Sequence, residues 1–417
     1  MLRTHSKLFR ALRALGVATL AALVAACGGG GGDSGGSGGG SAGGVQPAAN
    51  QAVVTVARGV EGVANIPTVS VTLCAPGSST CQTVDNIQVD TESFGLRLAS
   101  SAASQVLSVL PKATAAGGQL AECTAFADGF TWGSIRTADV TIGKETASSL
   151  PIQIVGDMPQ SAVATGGCST GTLELTPADL GANGILGVGV APTDCGATCA
   201  TAPAGNSNYY ACPNGSNCVQ TLVAEAQQVT NPVVKFAPDN NGVILSMPSI
   251  GPSGQSTVSG MLTFGINTRS NNGLPTTVLK LMTNAFGDVN ATFNGSALPA
   301  FFDSGSNAYF FTDNTLPNCT GNASSFYCPT STATRAVTVA NYNGSSPGAP
   351  SGSALSMSVG NASSLLANGN YALNDLAGSL GGGGSFIDLG MPFFYGKAVY
   401  YGMDQTGSGG ASPFVAF

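Results

Sequence analysis

The sequence predicts an all-β protein built as two lobes, and three observations support this prediction. Apolar runs are short and alternate with polar residues, which is the pattern of half-buried strands. Only 8% of the 417 residues are charged and 59 are glycine, so long surface helices are not expected. A hairpin that ends in an aspartate occurs once in each half of the chain. We therefore expect two β-barrel-like lobes, residues 46–250 and 251–417, with a cleft between them.

The repeated hairpin delivers one carboxyl group in each half. In the first half, residues 69–73, a loop between two cysteines and a second strand lead into residues 90–93, Asp-Thr-Glu-Ser. In the second half, residues 289–293, an Asn-Gly turn and a second strand lead into residues 303–306, Asp-Ser-Gly-Ser. Asn-Gly is a strong signal for a two-residue hairpin turn. An aspartate between an apolar strand and a polar turn needs hydrogen-bond partners, so the two hairpins indicate two halves of one site.

A second repeat follows each aspartate. Residues 184–187 read Gly-Ile-Leu-Gly, and residues 387–390 read Ile-Asp-Leu-Gly. Glycine beside such apolar residues permits close approach of two backbones. The shared order of hairpin, aspartate and apolar segment predicts an internal duplication.

The first 45 residues are expected to lie outside the fold. Residues 1–27 combine a basic start with an apolar stretch and end at Cys27, which resembles a bacterial lipoprotein signal in which that cysteine is lipidated. An ordinary signal peptide is the alternative. Residues 28–45 are Gly- and Ser-rich and predict a flexible tether. The resemblance to other lipoproteins implies that Gly28 after the cysteine directs sorting to the outer membrane, if the host has one. We expect an exported protein that contacts the membrane through its lipid anchor alone.

Charge and histidine content exclude several classes of function. Residues 1–27 hold four basic and no acidic side chains, so the remainder has 10 Lys and Arg against 21 Asp and Glu. This acidic balance argues against nucleic acid as a partner. The single histidine is His5, within the signal, which excludes Ser-His-Asp catalysis, Cys-His catalysis and His-ligated zinc sites. We expect no cofactor and no metal.

The cysteines favour a disulfide framework, because removal of Cys27 leaves an even number in an exported protein. Three pairs are close enough in sequence to staple local loops, and four further cysteines have an open pairing, with a metal site as the alternative. The three expected pairs are Cys74/Cys81, Cys212/Cys218 and Cys319/Cys328, and the four others are Cys123, Cys168, Cys195 and Cys199.

In their order and spacing, these segments resemble the pepsin-like aspartic peptidases. That family has two β lobes, each with an Asp-Thr/Ser-Gly motif and an apolar-apolar-Gly segment behind it. The resemblance covers about residues 50–417 and includes the Asp motifs, residues 184–187, the strand at 259–265 and the closing block at 389–404. The sequence is also similar to an uncharacterised group of bacterial lipoproteins with the same Asp motif.

The resemblance implies a pepsin-like fold and hydrolysis of an extended peptide by water that two aspartates activate. The implied catalytic pair is Asp90 and Asp303. The implied supporting residues are Thr91, Glu92, Ser93, Ser304, Gly305 and Ser306, and the implied flap over the cleft is Phe126, Ala127, Asp128 and Gly129. Among these, Thr91 and Ser304 would hold the two Asp loops through hydroxyl hydrogen bonds. We expect a monomer.

Two positions depart from the family pattern and keep other functions open. Glu92 stands where the family has glycine, and Phe126 where it usually has tyrosine. A protein of the same fold that binds a peptide or other ligand without cleaving it is the second hypothesis. An unrelated structural or adhesive lipoprotein is the third, and it would not bring Asp90 and Asp303 together. Glycosidase chemistry wants a wider carboxyl separation and aromatic sugar contacts, and the chain has one tryptophan.

Overall fold

The computed structural model describes residues 46–127, 129–163, 171–201, 203–342, 352–380 and 385–417. Cys27, the signal, the tether, Asp128 and Cys168 therefore lie outside the described residues.

Within the described residues the fold is mostly β, with three short α-helices, which confirms the predicted class. The strands of the first half are β1 (Gln51–Val56), β2 (Pro67–Cys74), β3 (Cys81–Asp90), β4 (Phe94–Ala99), β5 (Thr114–Ala115), β6 (Gly118–Ala125), β7 (Gly129–Ile142), β8 (Glu145–Val155), β9 (Thr172–Leu173), β10 (Gly184–Val188), β11 (Tyr209–Cys212), β12 (Val219–Gln220) and β13 (Gly242–Ser246). The strands of the second half are β14 (Val258–Phe264), β15 (Lys280–Met282), β16 (Val289–Phe293), β17 (Ser296–Asp303), β18 (Tyr309–Phe311), β19 (Ala333–Ala340), β20 (Ser353–Val359), β21 (Ala377–Ser379), β22 (Ile387–Gly390), β23 (Ala398–Gly402) and β24 (Phe414–Ala416). The short helices are α1 (Pro177–Leu180), α2 (Ala197–Thr201) and α3 (Ala362–Leu366). None of the helices in this part of the chain is long and apolar enough to cross a membrane.

The strands form two barrel-like sheets, as expected for a bilobal fold. The smaller sheet has the order β20-β19-β16-β17-β22-β18-β21. The larger sheet holds the first-half strands together with β14, β15, β23 and β24. In it, β13 lies between β14 and β23 and is antiparallel to both. The division at residues 250 and 251 therefore falls in the connection between two paired strands, and the two halves share one sheet.

Both expected hairpins are present. Strands β2 and β3 are antiparallel with Cys74 opposite Cys81, and a disulfide joins these two residues. Strands β16 and β17 are antiparallel, and their turn consists of Asn294 at φ 49° and Gly295 at φ 77°. Positive φ at both turn residues is what a type I′ turn requires, and Asn-Gly adopts it readily. The second strand of each hairpin ends at an aspartate of the site.

The internal duplication extends to the strands behind the two aspartates. Strand β10 runs parallel to β3 with Gly187 opposite Asp90, and β22 runs parallel to β17 with Gly390 opposite Asp303. A Cβ on Gly187 would lie 2.4 Å from the backbone nitrogen of Phe94, and one on Gly390 would lie 2.1 Å from a carbonyl oxygen. Glycine is needed at both positions because a neighbouring strand backbone passes there.

One large apolar core extends through both halves of the chain. Beneath the second aspartate, the ring of Phe302 packs at 4.8 Å from Phe393 and at 4.9 Å from Phe417, centroid to centroid. Such aromatic packing is close and directional, so it fixes the end of β17. The chain terminus thus supports the segment that carries Asp303.

The cysteines of the described residues form disulfides, which confirms the three expected local pairs. One further disulfide joins Cys195 to Cys199, a pairing that the sequence left open. Cys123 is disulfide-bonded as well. Because their sulfurs are used in disulfides, Cys123, Cys195 and Cys199 do not offer thiolate ligands to a metal. The three confirmed pairs are Cys74–Cys81, Cys212–Cys218 and Cys319–Cys328.

Two of the confirmed pairs each join a buried cysteine to a half-buried one. Cys212 and Cys319 are buried, whereas Cys218 and Cys328 are half-buried and pack against the edges of two small apolar clusters. Cys328 Sγ lies 3.2 Å from Ser363 Oγ, and the hydroxyl is the donor because a disulfide sulfur has no proton. Neither Cys218 nor Cys328 is a free thiol, so both belong to the framework of the fold.

Candidate active site

Asp90 and Asp303 meet between the two halves of the chain. A Cβ on Gly305 would lie 2.7 Å from the carboxyl carbon of Asp90 and 3.0 Å from Oδ1 of Asp303. The two carboxyl groups are therefore close enough to interact directly, and the charge of Asp90 acts on Asp303. Gly305 leaves the room that this close pairing needs, because any other residue would place a methyl or larger group there.

The residue after each aspartate has a hydroxyl group that hydrogen-bonds to the opposite Asp loop, and we call these contacts of Thr91 and Ser304 the hydroxyl grip. Thr91 Oγ1 donates to the carbonyl oxygen of Phe302 at 2.9 Å and accepts from the Ser304 N–H at 2.9 Å. Ser304 Oγ donates to the carbonyl oxygen of Val89 at 2.7 Å. Both hydroxyl residues are almost fully buried. The reciprocal bonds cross from one half of the chain to the other, so they fix the distance between the two carboxyl groups.

Backbone and hydroxyl donors orient each carboxyl group. Asp90 Oδ1 accepts from the N–H groups of Glu92 at 2.8 Å and Ser93 at 3.1 Å. Asp303 Oδ1 accepts from the Gly305 N–H at 2.7 Å, and its Oδ2 accepts from Ser306 Oγ at 2.9 Å. Four of the six expected supporting residues thus contact an aspartate directly, and the other two form the grip.

Burial and the neighbouring acid favour a shared proton. Burial raises the pKa of Asp303 well above its usual value, and the charge of Asp90 raises it further. Two adjacent carboxyl groups cannot both ionise cheaply, so one proton is held between them and the titration belongs to the pair. The pair can therefore accept a proton at one carboxylate while the other carboxyl donates.

Glu92 neither points to solvent nor lines the cleft. Its Oε2 would lie 2.8 Å from a Cβ on Gly287, so the side chain extends toward the loop before β16. That oxygen is buried and has no hydrogen-bond partner among the described residues. Burial raises the pKa of Glu92 well above its usual value, and Asp288 adds to the shift. Glu92, which stands where the resembled family has glycine, is therefore directed into the contact between the two halves.

The expected flap is the β6–β7 hairpin. Strands β6 and β7 are antiparallel, with Ala125 opposite Phe130, and the Phe126 N–H donates to the Gly129 carbonyl oxygen at 2.8 Å. Phe126 and Ala127 line the same cavity as the two aspartates. Gly129 is buried in β7 against β9 and does not line this cavity. Asp128 lies outside the described residues.

The cavity in front of the pair has a volume of about 620 Å³. Besides the flap, its walls include Ile185 from the first half and Tyr371 from the loop after α3. Arg58 and Glu61, from the segment between β1 and β2, also line it. The walls thus combine apolar and polar surface in about equal shares, and a concave cavity with convergent polar groups is typical of a ligand-binding site.

The disulfides lie away from this cavity. Among the described cysteines none lines its walls, and this includes the half-buried Cys218 and Cys328. The cysteines that the structure describes therefore stabilise loops and do not line the candidate site.

A buried ion cluster supports the flap, and sequence reasoning missed it. Arg97 Nη2 lies 2.8 Å from Glu122 Oε1 and 3.0 Å from Asp194 Oδ2, and all three side chains are nearly inaccessible. Its guanidinium carbon also lies 5.9 Å from the ring centre of Phe126. Burial and the charge of Glu122 raise the pKa of Asp194 well above its usual value, so one proton and one cation offset the two acids. Arg97 is a charged residue inside the apolar run of β4, and this could have indicated a buried ion cluster from the sequence.

Two further polar residues close to the pair also escaped the sequence analysis. Gln88 Nε2 donates to the carbonyl oxygen of Gly305 at 2.7 Å and lines the cavity. Asp388 Oδ2 accepts from Ser306 Oγ at 2.5 Å, in the strand behind Asp303. Gln88 lies two residues before Asp90 in the same strand, so period-two spacing could have indicated it. The position of Asp388 depends on the pairing of β22 with β17.

Comparison with known families identifies the chain. Residues 46–417 match the model of a family described as Protein of unknown function (DUF3443), and the chain belongs to that family. A comparison with curated proteins finds no match.

Proposed function

We propose that this DUF3443 protein is an exported lipoprotein that hydrolyses peptide bonds with the Asp90–Asp303 pair, in the manner of pepsin-like aspartic peptidases. The observation that supports this most is the close approach of these two carboxyl groups, one from each half of the chain, at a cavity of about 620 Å³. The duplicated hairpins, the hydroxyl grip and the hairpin that covers the cavity agree with the same proposal.

The reaction uses the single proton of the pair. The ionised carboxylate takes a proton from a bound water while the protonated carboxyl donates to the scissile carbonyl oxygen. The water oxygen adds to the carbonyl carbon and forms a tetrahedral diol. The carboxyl that took the water proton then donates it to the nitrogen while the other carboxylate takes the proton of one diol hydroxyl, so the C–N bond breaks and a carboxylic acid and an amine are released. Because the pair regains one proton overall, the cycle can repeat without a cofactor.

The substrate class follows from the walls of the cleft. Phe126, Ile185 and Tyr371 give part of it apolar and aromatic surface, and charged side chains such as Arg58 and Glu61 line another part. An extended peptide with apolar side chains beside the scissile bond is the substrate that the apolar part of the wall favours.

Disulfide content supports the proposed location. Four disulfides and a further bonded cysteine occur in the described residues. Disulfides form and persist in exported proteins and are rare in a reducing cytosol. We propose that lipid on Cys27 anchors the protein to the outer membrane and that it works as a monomer.

A non-cleaving peptide-binding protein is the second candidate. Phe126 favours it, because the flap side chain that faces the cavity has no hydroxyl group to donate a hydrogen bond. In this case the cleft and the pair would hold a peptide, and turnover would be absent.

Cleavage of a mixed peptide library between about pH 3 and 7 tests the proposal. We expect the wild type to cleave, and Asp90→Asn and Asp303→Asn each to lower the rate at least about a hundredfold, because neither carboxyl can perform both proton transfers. Asp85→Asn is the matched control, since Asp85 is an exposed acid on the same strand as Asp90. Cleavage that survives loss of either acid of the pair would exclude the mechanism. Peptide binding without cleavage in the wild type would select the second candidate.

A further inference from the structure

The hydroxyl of Ser306 lies between two carboxyl groups. Its Oγ is 2.9 Å from Asp303 Oδ2 and 2.5 Å from Asp388 Oδ2. A hydroxyl group has one proton, so it can donate to only one of them. An ionised carboxylate can only accept. Both contacts are hydrogen bonds only if one of the two carboxyl groups is protonated on the oxygen that faces Ser306.

The surroundings of Asp388 favour that carboxyl as the one that keeps the proton. Asp388 is 5% exposed, and its Oδ1 has no hydrogen-bond partner among the described residues. The ionisable groups that act on it are acids, namely Asp303 and Asp90, and Glu92 is near enough to sense its charge. An ionised Asp388 would be buried without a cation, which is costly. Burial, and then the charge of Asp303, raise the pKa of Asp388 well above its usual value.

The duplication shows that the fold does not need an acid at this position. Asp388 lies opposite Phe301 of β17, two residues before the pairing at Asp303. In the first half, Ile185 lies opposite Gln88, two residues before the pairing at Asp90, so Ile185 and Asp388 occupy equivalent positions. The first half therefore fills the same place with an apolar side chain. A buried acid at this position of the second half points to a role at the neighbouring Asp303.

We propose that Asp388 is a positioning residue for the acid pair. Its proton is donated to Ser306 Oγ, and this turns the hydroxyl proton of Ser306 toward Asp303 Oδ2. When Asp388 loses its proton, the hydroxyl turns toward Asp388 instead. The proton arrangement stands on the contacts of Ser306 alone, whereas its effect on cleavage rests on the proposed function.

Both consequences of ionising Asp388 act in the same direction on the pair. Asp303 loses the hydrogen bond that stabilised its carboxylate, and it gains a negative charge behind it. Each change makes Asp303 hold a proton more tightly. With Asp388 present, Asp90 and Asp303 therefore share one proton up to a higher pH.

The first test counts protons and does not need activity. Urea unfolding of the full chain is measured between about pH 4 and 6 for the wild type, Asp388→Asn and the exposed control Asp85→Asn. If the folded wild type keeps one proton that the unfolded chain loses, its unfolding equilibrium constant rises with pH. This rise should exceed that of Asp388→Asn by up to about tenfold per pH unit. Asp388→Ile, which copies the equivalent residue of the first half, should behave like Asp388→Asn. Parallel curves for wild type and both variants would overturn the proposal.

The second test follows the pH profile of peptide cleavage. The amide of Asp388→Asn can still donate to Ser306 Oγ, so we expect a maximal rate close to that of the wild type. Its alkaline limb should move to lower pH, because the hydroxyl no longer turns and no charge develops. An unchanged alkaline limb would contradict the positioning role. If the unfolding curves differ as expected but no peptide is cleaved, the proton arrangement stands and the proposed function fails.

Discussion

Replacement of Thr91 by valine should weaken the contact between the two Asp loops. Valine has nearly the shape of threonine but lacks the hydroxyl group. Thr91 Oγ1 donates to the Phe302 carbonyl oxygen and accepts from the Ser304 N–H, each at 2.9 Å, and the side chain is 1% exposed. The substitution therefore removes two buried hydrogen bonds without a large change in packing.

The size of the effect depends on which groups lose every partner. The Phe302 carbonyl oxygen also accepts from Tyr401 Oη at 2.7 Å, so it keeps a hydrogen bond. The Ser304 N–H loses its Thr91 acceptor and becomes a buried donor without a partner. Such a group costs about 1–3 kcal/mol, and the bond lost from Phe302 adds about 1 kcal/mol. We expect the free energy of unfolding to fall by about 2–4 kcal/mol.

Urea unfolding at mildly acidic pH measures this change. Thr91→Ser keeps the hydroxyl group and should cost only about 1 kcal/mol for the missing methyl group. Thr141→Val is the matched control, because the hydroxyl of Thr141 bonds to that of Thr146 at an exposed position, and it should change stability by less than about 0.5 kcal/mol. If Thr91→Val lowered the free energy of unfolding as little as this control, the hydroxyl grip would not hold the two halves together.

Three further predictions concern Glu92, the buried ion cluster beside the flap and the lipid anchor. Burial raises the pKa of Glu92, so the folded state keeps a proton that the unfolded state loses above its ordinary pKa, and stability falls as pH rises from there to the raised pKa. Glu92→Gln should flatten this fall in urea unfolding curves and be more stable than the wild type at pH 7, by about 1.4 kcal/mol for each unit by which the pKa is raised; curves of equal slope would refute this. Arg97→Met leaves Glu122 and Asp194 buried without their cation and should cost about 3–5 kcal/mol, whereas a loss below about 1 kcal/mol would show that the cluster is unimportant. Cys27→Ser should release the protein from membranes in fractionation, and a variant that still sediments with them would contradict the lipid anchor.

The paired aspartates could be predicted because their signals are local. Each follows a hairpin with its own turn chemistry, and the Asn294-Gly295 turn alone fixes the register of β16 and β17. The glycines opposite the aspartates were also visible, since their segments repeat. A duplicated order of local signals is strong evidence because each copy supports the other.

Features that depend on strand pairing across the fold could not be predicted in the same way. Strand β19 lies between β16 and β20, although only alternating residues such as Val337 and Val339 are buried in it. The contact of Ser306 with Asp388 joins residues 82 apart in sequence. The Glu92 side chain extends toward the loop at Gly287, almost two hundred residues further along the chain. Each of these depends on which distant strand becomes a neighbour.

The most direct test of the acid pair uses a peptide in which a secondary alcohol replaces the scissile carbonyl. This group mimics the tetrahedral diol and should hydrogen-bond to both Asp90 and Asp303. Titration calorimetry at acidic pH should show that the wild type binds it at least about a hundredfold more tightly than the same peptide with a methylene group in that place. Asp90→Asn and Asp303→Asn should remove most of this preference. Equal binding of the alcohol and methylene peptides by the wild type would contradict a shared-proton pair that faces a peptide cleft.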